Sequence, residues 1–395
     1  MLLKGLKFNR LEFAGSLGDF GTLIPLSVAL IIFNGLSITA VFLMVGLFYI
    51  GTGLYYRLPV PVQPLKVVAA VAIASPLTIT PSVIAASGIV FGFVLLLLVI
   101  TGLIDKLATL FTKPVIRGIQ LGLGLILIKK GLDFILKKEV LLEQAGSVFA
   151  SNGVSLNPVI GIAAGLITLL LITNKRFPAA LVVVFLGIIA GILCGSLREV
   201  EFALGPMKID FIKLSLTDFL NATLLLVIPQ IPLTIGNAVI GTSDTCVTLF
   251  GKNSVTARMS YRSLAISMGL ANIASGILSA MPMCHGAGGL AAHHRFGART
   301  GGSNLMIGLI FVTIALLFST LGLAVLMSIP NGVLGTLLLF AGLELAMLIR
   351  DLNDKKSLFV TLLTAGVGFG LTNMGIAFLI GILIDNLIRW KKINL

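Results

Sequence analysis

Charge is what this sequence has least of. Asp, Glu, Lys and Arg make up 11% of its 395 residues, against 57% hydrophobic residues; a soluble domain carries about 25% charge. With a mean hydropathy of +1.11, the composition excludes a soluble globular fold and points to a polytopic membrane protein. Cysteine is scarce too. Cys194, Cys246 and Cys284 are scattered and form no CxxC, which excludes a disulfide framework and a zinc site of that kind. There is no GxxxxGK[ST], so no P-loop supplies energy. The start, MLLKGLKFNRLEF, has basic residues but no signal-peptide cleavage site, and it is expected to be retained. No stretch has room for a soluble domain: the longest polar segments are about 131–156 and 197–216.

Long apolar runs are what is there. A helical span needs about 20 apolar residues. Clear candidates lie at 13–33, 38–56, 82–104, 158–174, 178–196, 218–250 (long and broken), 263–280, 302–328, 331–349, 357–371 and 374–390. Three weaker segments join them: 60–75, which opens with Pro59, Pro61 and Pro64; 113–129, glycine-rich and amphipathic; and 282–297. The expected architecture is therefore all-α with about 14 transmembrane elements.

The loop charges support that count. With the N-terminus inside, twenty of the 28 basic residues fall on inside segments, from Lys4, Lys7 and Arg10 through Arg57, Arg117, Arg258, Arg295 and Arg350 to Arg389 and Lys392. Seven fall outside, near the two longest loops: Lys129, Lys130, Lys137, Lys138, Arg198, Lys208 and Lys213. Lys66 alone lies within a span. The bias sets both termini in the cytoplasm and accounts for the net charge of +13 without nucleic acid. The expected location is the inner cell membrane.

A faint internal repeat runs through the chain. TLIPLSVAL at Thr22–Leu30 echoes PQIPLTIGNAV at Pro229–Val239, and each is followed by a short proline-started segment, PVPVQPLKVVAAVAIA and PMCHGAGGLAAHH. Seven elements per half is an odd number, so the halves, 1–200 and 201–395, are expected to be oppositely oriented. Paired, Gly/Pro-interrupted short spans in an inverted repeat point to a secondary transporter and to its site. A half-helix that starts in mid-membrane leaves backbone N–H groups unpaired at its open end. An anion satisfies them and the helix dipole favours it. Pro282 would start one half-helix, with Cys284, His285 and Gly286 at its end; Gln63 and the residues after Pro64 are their counterparts.

Four blocks carry a family resemblance: GSLGDFGTLIPL (Gly15–Leu26), PVQPLKVVAA (Pro61–Ala70), PQIPLTIGNAVIGTS (Pro229–Ser243) and CHGAGGLAAHHRFGARTGG (Cys284–Gly302). Together they resemble the molybdate-transporter branch of the SulP sulfate-permease superfamily, over essentially the whole chain. The resemblance implies a seven-plus-seven inverted repeat with a core domain and a gate domain. It implies oxyanion uptake at a site between spans 3 and 10, lined also by spans 1 and 8. Many SulP members carry a C-terminal STAS domain; the sequence ends at Leu395 just after the last span, and no STAS domain is expected here.

Individual residues follow. Asp19 lies inside the first span, where a carboxylate is costly and usually functional. It reads either as a protonatable, coupling or structural group near the site, or as a partner of Lys66 or a cap on a backbone break. Lys66, at the start of the first half-helix, reads as an anion contact or as a salt-bridged or snorkelling cation. Gln63, Gln230, Thr234 and Asn237 are neutral hydrogen-bonders fit to line an oxyanion site or to link helices. Cys284, His285 and Gly286 complete the candidate substrate-binding set, with Cys284 read more readily as packing and His285 as a pH-sensitive donor. Asp244 reads as interfacial. His293, His294, Arg295 and Arg299 read as cytoplasmic anchors, not as a metal site.

The resulting expectation is a secondary-active transporter taking up molybdate, or sulfate or tungstate, by alternating access with proton coupling, and not an enzyme. Expected partners are the oxyanion, H⁺ and the bilayer, with a homodimer as an option; no cofactor, metal or nucleic acid is expected. A nucleobase–proton symporter of the same fold would want carboxylates on spans 8 and 10; span 10 here offers Cys–His–Gly instead. A membrane-embedded enzyme is disfavoured because adjacent Cys284 and His285 on a helix point about 100° apart. An anion channel stays open as a further alternative.

Overall fold

The computed structural model describes residues 5–104, 112–141, 155–171, 174, 178–194, 196, 204–253 and 255–390. Lys4, Lys106, Lys175, Arg176, Arg198, Lys391 and Lys392 lie outside the described residues, as do 142–154 and 197–203 of the two long loops. The described chain is helical apart from short connections and two two-residue strands.

The first span is a bent pair, α1 (Arg10–Ser16) and α2 (Phe20–Asn34), meeting at 48°. Asp19 sits in the bend as the residue before α2. Gly18 lets the bend lie against the second half-helix: a Cβ there would be 2.8 Å from the Ala292 carbonyl oxygen. Helix α2 ends where Gly35 turns left-handed, φ 68°, the usual way of stopping a helix. Helix α3 (Ile38–Tyr56) follows, capped by the Ser37 side chain. Strand β1 (Gln63–Pro64) then leads into α4 (Lys66–Ala74). Later come α5 (Pro81–Ile100), α6 (Lys113–Ile135), α7 (Leu156–Leu171) and α8 (Ala179–Leu193).

Expectation and structure part at the next span. Residues 218–250 read as long and broken, and Pro229 and Pro232 within them each lack a backbone donor and crowd the preceding turn. Instead, α9 runs unbroken over Leu216–Phe250, 35 residues. Two π-helical stretches, Ala222–Val227 and Thr234–Gly241, flank the proline turn Ile228–Leu233. The wider turns absorb the missing donors, and the Thr242 hydroxyl donates to the Asn237 carbonyl at 3.1 Å, five residues back. The segment at 113–129 also exceeds its expectation, since α6 has 23 residues.

The rest of the chain is α10 (Tyr261–Ile277), β2 (Met283–Cys284), α11 (Ala287–Arg295), α12 (Gly302–Leu317), α13 (Ser319–Met327), α14 (Asn331–Ala346), α15 (Lys355–Leu371) and α16 (Met374–Arg389). By length and composition, four described helices can each cross a bilayer, or five with the bent α1–α2 pair counted. Helix length alone therefore does not deliver fourteen crossings. Leu97, Ile100, Leu166, Leu170, Phe185 and Leu193 all face outward, as they would toward lipid.

The most extensive helix contacts are α6 with α14, α5 with α10, α3 with α12 and α6 with α15. Small residues permit them. A Cβ on Gly131 would sit 2.5 Å from the Gly335 carbonyl oxygen and one on Gly335 equally close to that of Gly131. Gly124 and Gly342 repeat the relation at 2.6 Å. The α6 and α14 backbones thus touch at two points seven residues apart on each helix.

Candidate functional site

The two half-helices meet head to head. Strands β1 and β2 pair antiparallel, Gln63 opposite Cys284 and Pro64 opposite Met283, and the Leu65 amide donates to the Pro282 carbonyl at 2.9 Å. Side chains from outside lock this crossing. Asn272 accepts from the Met283 amide at 2.8 Å and donates to its carbonyl at 2.7 Å, while Asn304 donates to the Val60 carbonyl at 2.7 Å. Helices α4 and α11 leave the crossing with nine residues each, about 13 Å of helix where the bilayer core is about 30 Å.

Their open ends differ. At α4 the Val67 amide donates to Gln230 Oε1 at 2.9 Å, and Gln230 Nε2 donates to Thr234 Oγ1 at 2.9 Å. Gln230 and Thr234 therefore cap the first half-helix from α9 and do not line the cavity described next. At α11 no side chain caps the start. Among the described residues, the Ala287, Gly288 and Gly289 amides have no hydrogen-bond partner.

In front of these ends lies a cavity of about 440 Å³. Asp19, Gln63, Lys66, Gly288 and Gly289 line its inner wall, Glu344 and Leu345 of α14 the facing wall, and Arg295 and Arg350 its exposed end. Asp19 does not pair with Lys66. Gln63 Nε2 donates to both carboxylate oxygens of Asp19, at 2.8 and 2.7 Å. Lys66 forms no ion pair among the described residues; it faces the cavity with Asp19 and Glu344 near enough to feel its charge. Glycine is required at the α11 start: a Cβ on Gly289 would be 2.7 Å from Asp19 Oδ2, and one on Gly286, buried behind the cavity wall, 2.5 Å from Gln63 Oε1.

This arrangement can hold a small anion with open amides and one lysine. It has no cluster of metal-ligating side chains among the described residues.

A family model described as "Molybdate transporter of MFS superfamily" matches residues 11–127 and 222–345. Molybdate transporter 2 of Arabidopsis thaliana is 32% identical over 413 aligned residues, which cover 97% of this chain and 88% of that protein. The chain belongs to the molybdate transporter family. Molybdate transporter 1 of Chlamydomonas reinhardtii is 30% identical, covering 94% of this chain and 90% of that one. The transporter's fold is that of the transmembrane domain of the cyanobacterial bicarbonate transporter BicA, with a TM-score of 0.63 at 16% identity, covering 95% and 97% of the two chains. The murine anion transporter Slc26a9 in its inward-facing state also matches, with a TM-score of 0.63 at 14% identity, covering 98% of this chain and 70% of that one. The fold is thus the one these two transporters share. Family and fold make the chain an integral membrane anion transporter rather than an enzyme.

Of the residues singled out from sequence, Asp19, Gln63 and Lys66 line the transporter's cavity and Gly286 abuts Gln63. His285 is fully buried behind them; its Nδ1 lies 2.9 Å from the Pro61 carbonyl and its Nε2 3.1 Å from Ser267 Oγ, and the ring stacks on Phe48. Cys284 is buried against the Pro64 carbonyl, at 3.7 Å. Asn237 is half-buried on α9, away from the cavity lining. His293, read as a cytoplasmic anchor, is instead buried, with Nδ1 3.1 Å from the Pro59 carbonyl. The helix face that carries it packs on the Pro59–Pro61 segment. Glu344 was missed. Its one sequence signal is a lone acid in an apolar run, LLLFAGLELAML, a signal that singled out Asp19 in the first span.

Proposed function

We propose that the transporter takes up molybdate, a tetrahedral dianion, by alternating access. The observation that carries this reading is the cavity where two half-helix starts converge with unpartnered α11 amides and Lys66. Oriented N–H groups and a cation replace the hydration shell of an oxyanion without a reorganisation cost at the moment of binding. The names of the family and of its relatives favour molybdate among such dianions. No carboxylate projects into the cavity from α9 or α11, which speaks against a nucleobase ligand.

In this reading the residues divide at about 200 into two inverted repeats. Reciprocal packing supports the division: spans 2 and 11 (α3, α12) and spans 9 and 4 (α10, α5) exchange under a two-fold axis, and the α6–α14 and β1–β2 contacts map onto themselves. The half-helices move with one body; α6 and α14 form the facing wall. Arg295 and Arg350 at the cavity's exposed end favour a mouth on the cytoplasmic side. Asp19 carries the coupling proton, easing the charge problem of importing a dianion.

Calorimetry of purified protein with molybdate tests this, with sulfate, tungstate and uracil as competitors. Molybdate binding that sulfate displaces weakly is the expected outcome. Displacement by uracil, or no oxyanion binding at all, overturns it. Gly286→Val should abolish binding by driving Gln63 from its place; unchanged binding would remove the half-helix start from the site.

A further inference from the structure

We infer that the Gln63 side-chain amide is the switch that links proton occupancy of Asp19 to anion binding, and that it works by reversing its donor and acceptor ends. This rests on the oxyanion site proposed above. Three observations carry it. Gln63 Nε2 spends its donors on both oxygens of Asp19, at 2.8 and 2.7 Å. Its other end, Oε1, is buried and has no hydrogen-bond partner among the described residues. That orphaned oxygen is the atom nearest to where a Cβ on Gly286 would lie, 2.5 Å away, at the start of α11. An acceptor without a donor thus sits beside the amides that are to receive an anion.

The chemistry of the pair dictates the orientation. An ionised carboxylate only accepts hydrogen bonds, so it holds the NH₂ of Gln63 and leaves the oxygen pointing at the half-helix. Facing an anion, that oxygen is repulsive and gains no bond. When a proton from water reaches Asp19, the carboxylic acid becomes a donor. Gln63 can then turn over about its last side-chain bond, accept from the Asp19 hydroxyl with Oε1, and present its NH₂ to the oxyanion. One proton is gained by Asp19, one orphaned acceptor is satisfied, and the anion acquires donors. Proton and anion each favour the same amide orientation, so each tightens the binding of the other by the same factor.

The other groups around Asp19 do not offer this relay. Lys66 and Glu344 share the cavity with it and act on it through charge, and Thr22 is bonded to Asp19 through the backbone, its amide donating to the Asp19 carbonyl at 3.0 Å. The Tyr49 hydroxyl is bonded to the Val62 carbonyl at 3.4 Å, and the Cys284 thiol to the Pro64 carbonyl. Arg295 and Arg350 lie at the exposed end of the cavity. Asp19 Oδ2 itself lies beside Gly289 in the first turn of α11, but a carboxylate brings no donor to an anion there; among the described residues it is Gln63 that bonds Asp19 at one end and sets an amide group beside Gly286 at the other.

The test is proton uptake on binding. Molybdate is added to detergent-purified full-length protein in weak buffer with a pH indicator, at a pH on the alkaline side of the transition, where Asp19 starts ionised and molybdate is the simple dianion. Wild type should take up close to one proton per molybdate bound, and its Kd should rise about tenfold per pH unit on the alkaline side of the transition. Asp19→Asn keeps a side chain that both donates and accepts. It should bind with little dependence on pH and take up no proton. Gln63→Leu, with Asp19 intact, should bind more weakly and lose the proton uptake. If Gln63→Leu binds molybdate and still takes up the proton, the switch is overturned while Asp19 coupling stands. If wild type binds with no proton uptake, both fall; if wild type does not bind molybdate, the oxyanion reading itself fails. Infrared difference spectra of wild type cover the case of a variant that does not fold. Binding should convert a carboxylate band to a carboxylic acid band and shift a side-chain amide band in the same spectrum. A carboxylate change without the amide shift overturns the switch.

Discussion

Gln230 shows how a residue chosen for one task performs another. Its type and its place beside Pro229 suit an oxyanion ligand. The structure uses both ends of its amide elsewhere, on the Val67 N–H and on Thr234 Oγ1. A half-helix cannot leave every early amide open inside a membrane, and α4 is closed by a side chain reaching across from α9. Gln230→Leu strands the Val67 N–H in an apolar setting, which costs about 1–3 kcal/mol. The expected outcome is a lower melting temperature of the detergent-solubilised protein, with molybdate affinity changed far less than by Gly286→Val. Equal losses of affinity in the two variants would return Gln230 to the binding set. Gln63, of the same residue type and also beside a proline, does line the cavity. The side chains differ only in what the fold sets opposite them, which a sequence does not display.

At the level of elements, the broken spans were the legible part. Proline and an extended pair of residues at each half-helix start, joined by Gly286 at the second, are local chemistry, and β1–α4 and β2–α11 lie where that chemistry puts them. The continuity of α9 was not legible, because π-turns accommodate Pro229 and Pro232 in a way that a proline rule does not foresee. Glu344 was passed over for a related reason. It lies 325 residues from Asp19 along the chain, on a helix whose apolar pattern is ordinary, and only the fold brings the two acids to one cavity. The α6–α14 contact depends on backbone approach at Gly131 and Gly335. Gly131→Val places its Cβ within 2.5 Å of the Gly335 carbonyl oxygen, and overpacking of that kind costs about 1–3 kcal/mol. Thermal unfolding of the variant should begin earlier, and Gly335→Val should match it. A variant pair with unchanged melting temperatures would show that the two helices separate freely.

Across the whole molecule, the cavity is a meeting of two walls with opposed electrostatics. The inner wall presents Lys66 and the half-helix starts, all favourable to an anion, with Asp19 held by Gln63. The facing wall presents Glu344 from α14, a helix that packs most extensively on α6 and also on α7 and α2. Cations outnumber acids among the lining residues, Lys66, Arg295 and Arg350 against Asp19 and Glu344. A dianion entering this space is attracted as a whole and repelled locally by Glu344. That repulsion limits affinity, which suits a carrier that has to release what it binds. Removing it should therefore strengthen binding: Glu344→Gln is expected to lower the molybdate Kd roughly tenfold, the equivalent of about 1.4 kcal/mol, at low ionic strength. The gain should shrink in salt, because the cavity is open to solvent and its charges are screened. Calorimetric titrations of wild type and variant at low and high salt measure both effects. Weaker binding in Glu344→Gln would mean that the carboxylate serves the anion indirectly, by holding Lys66 in place, and the facing wall would then belong to the binding site rather than oppose it.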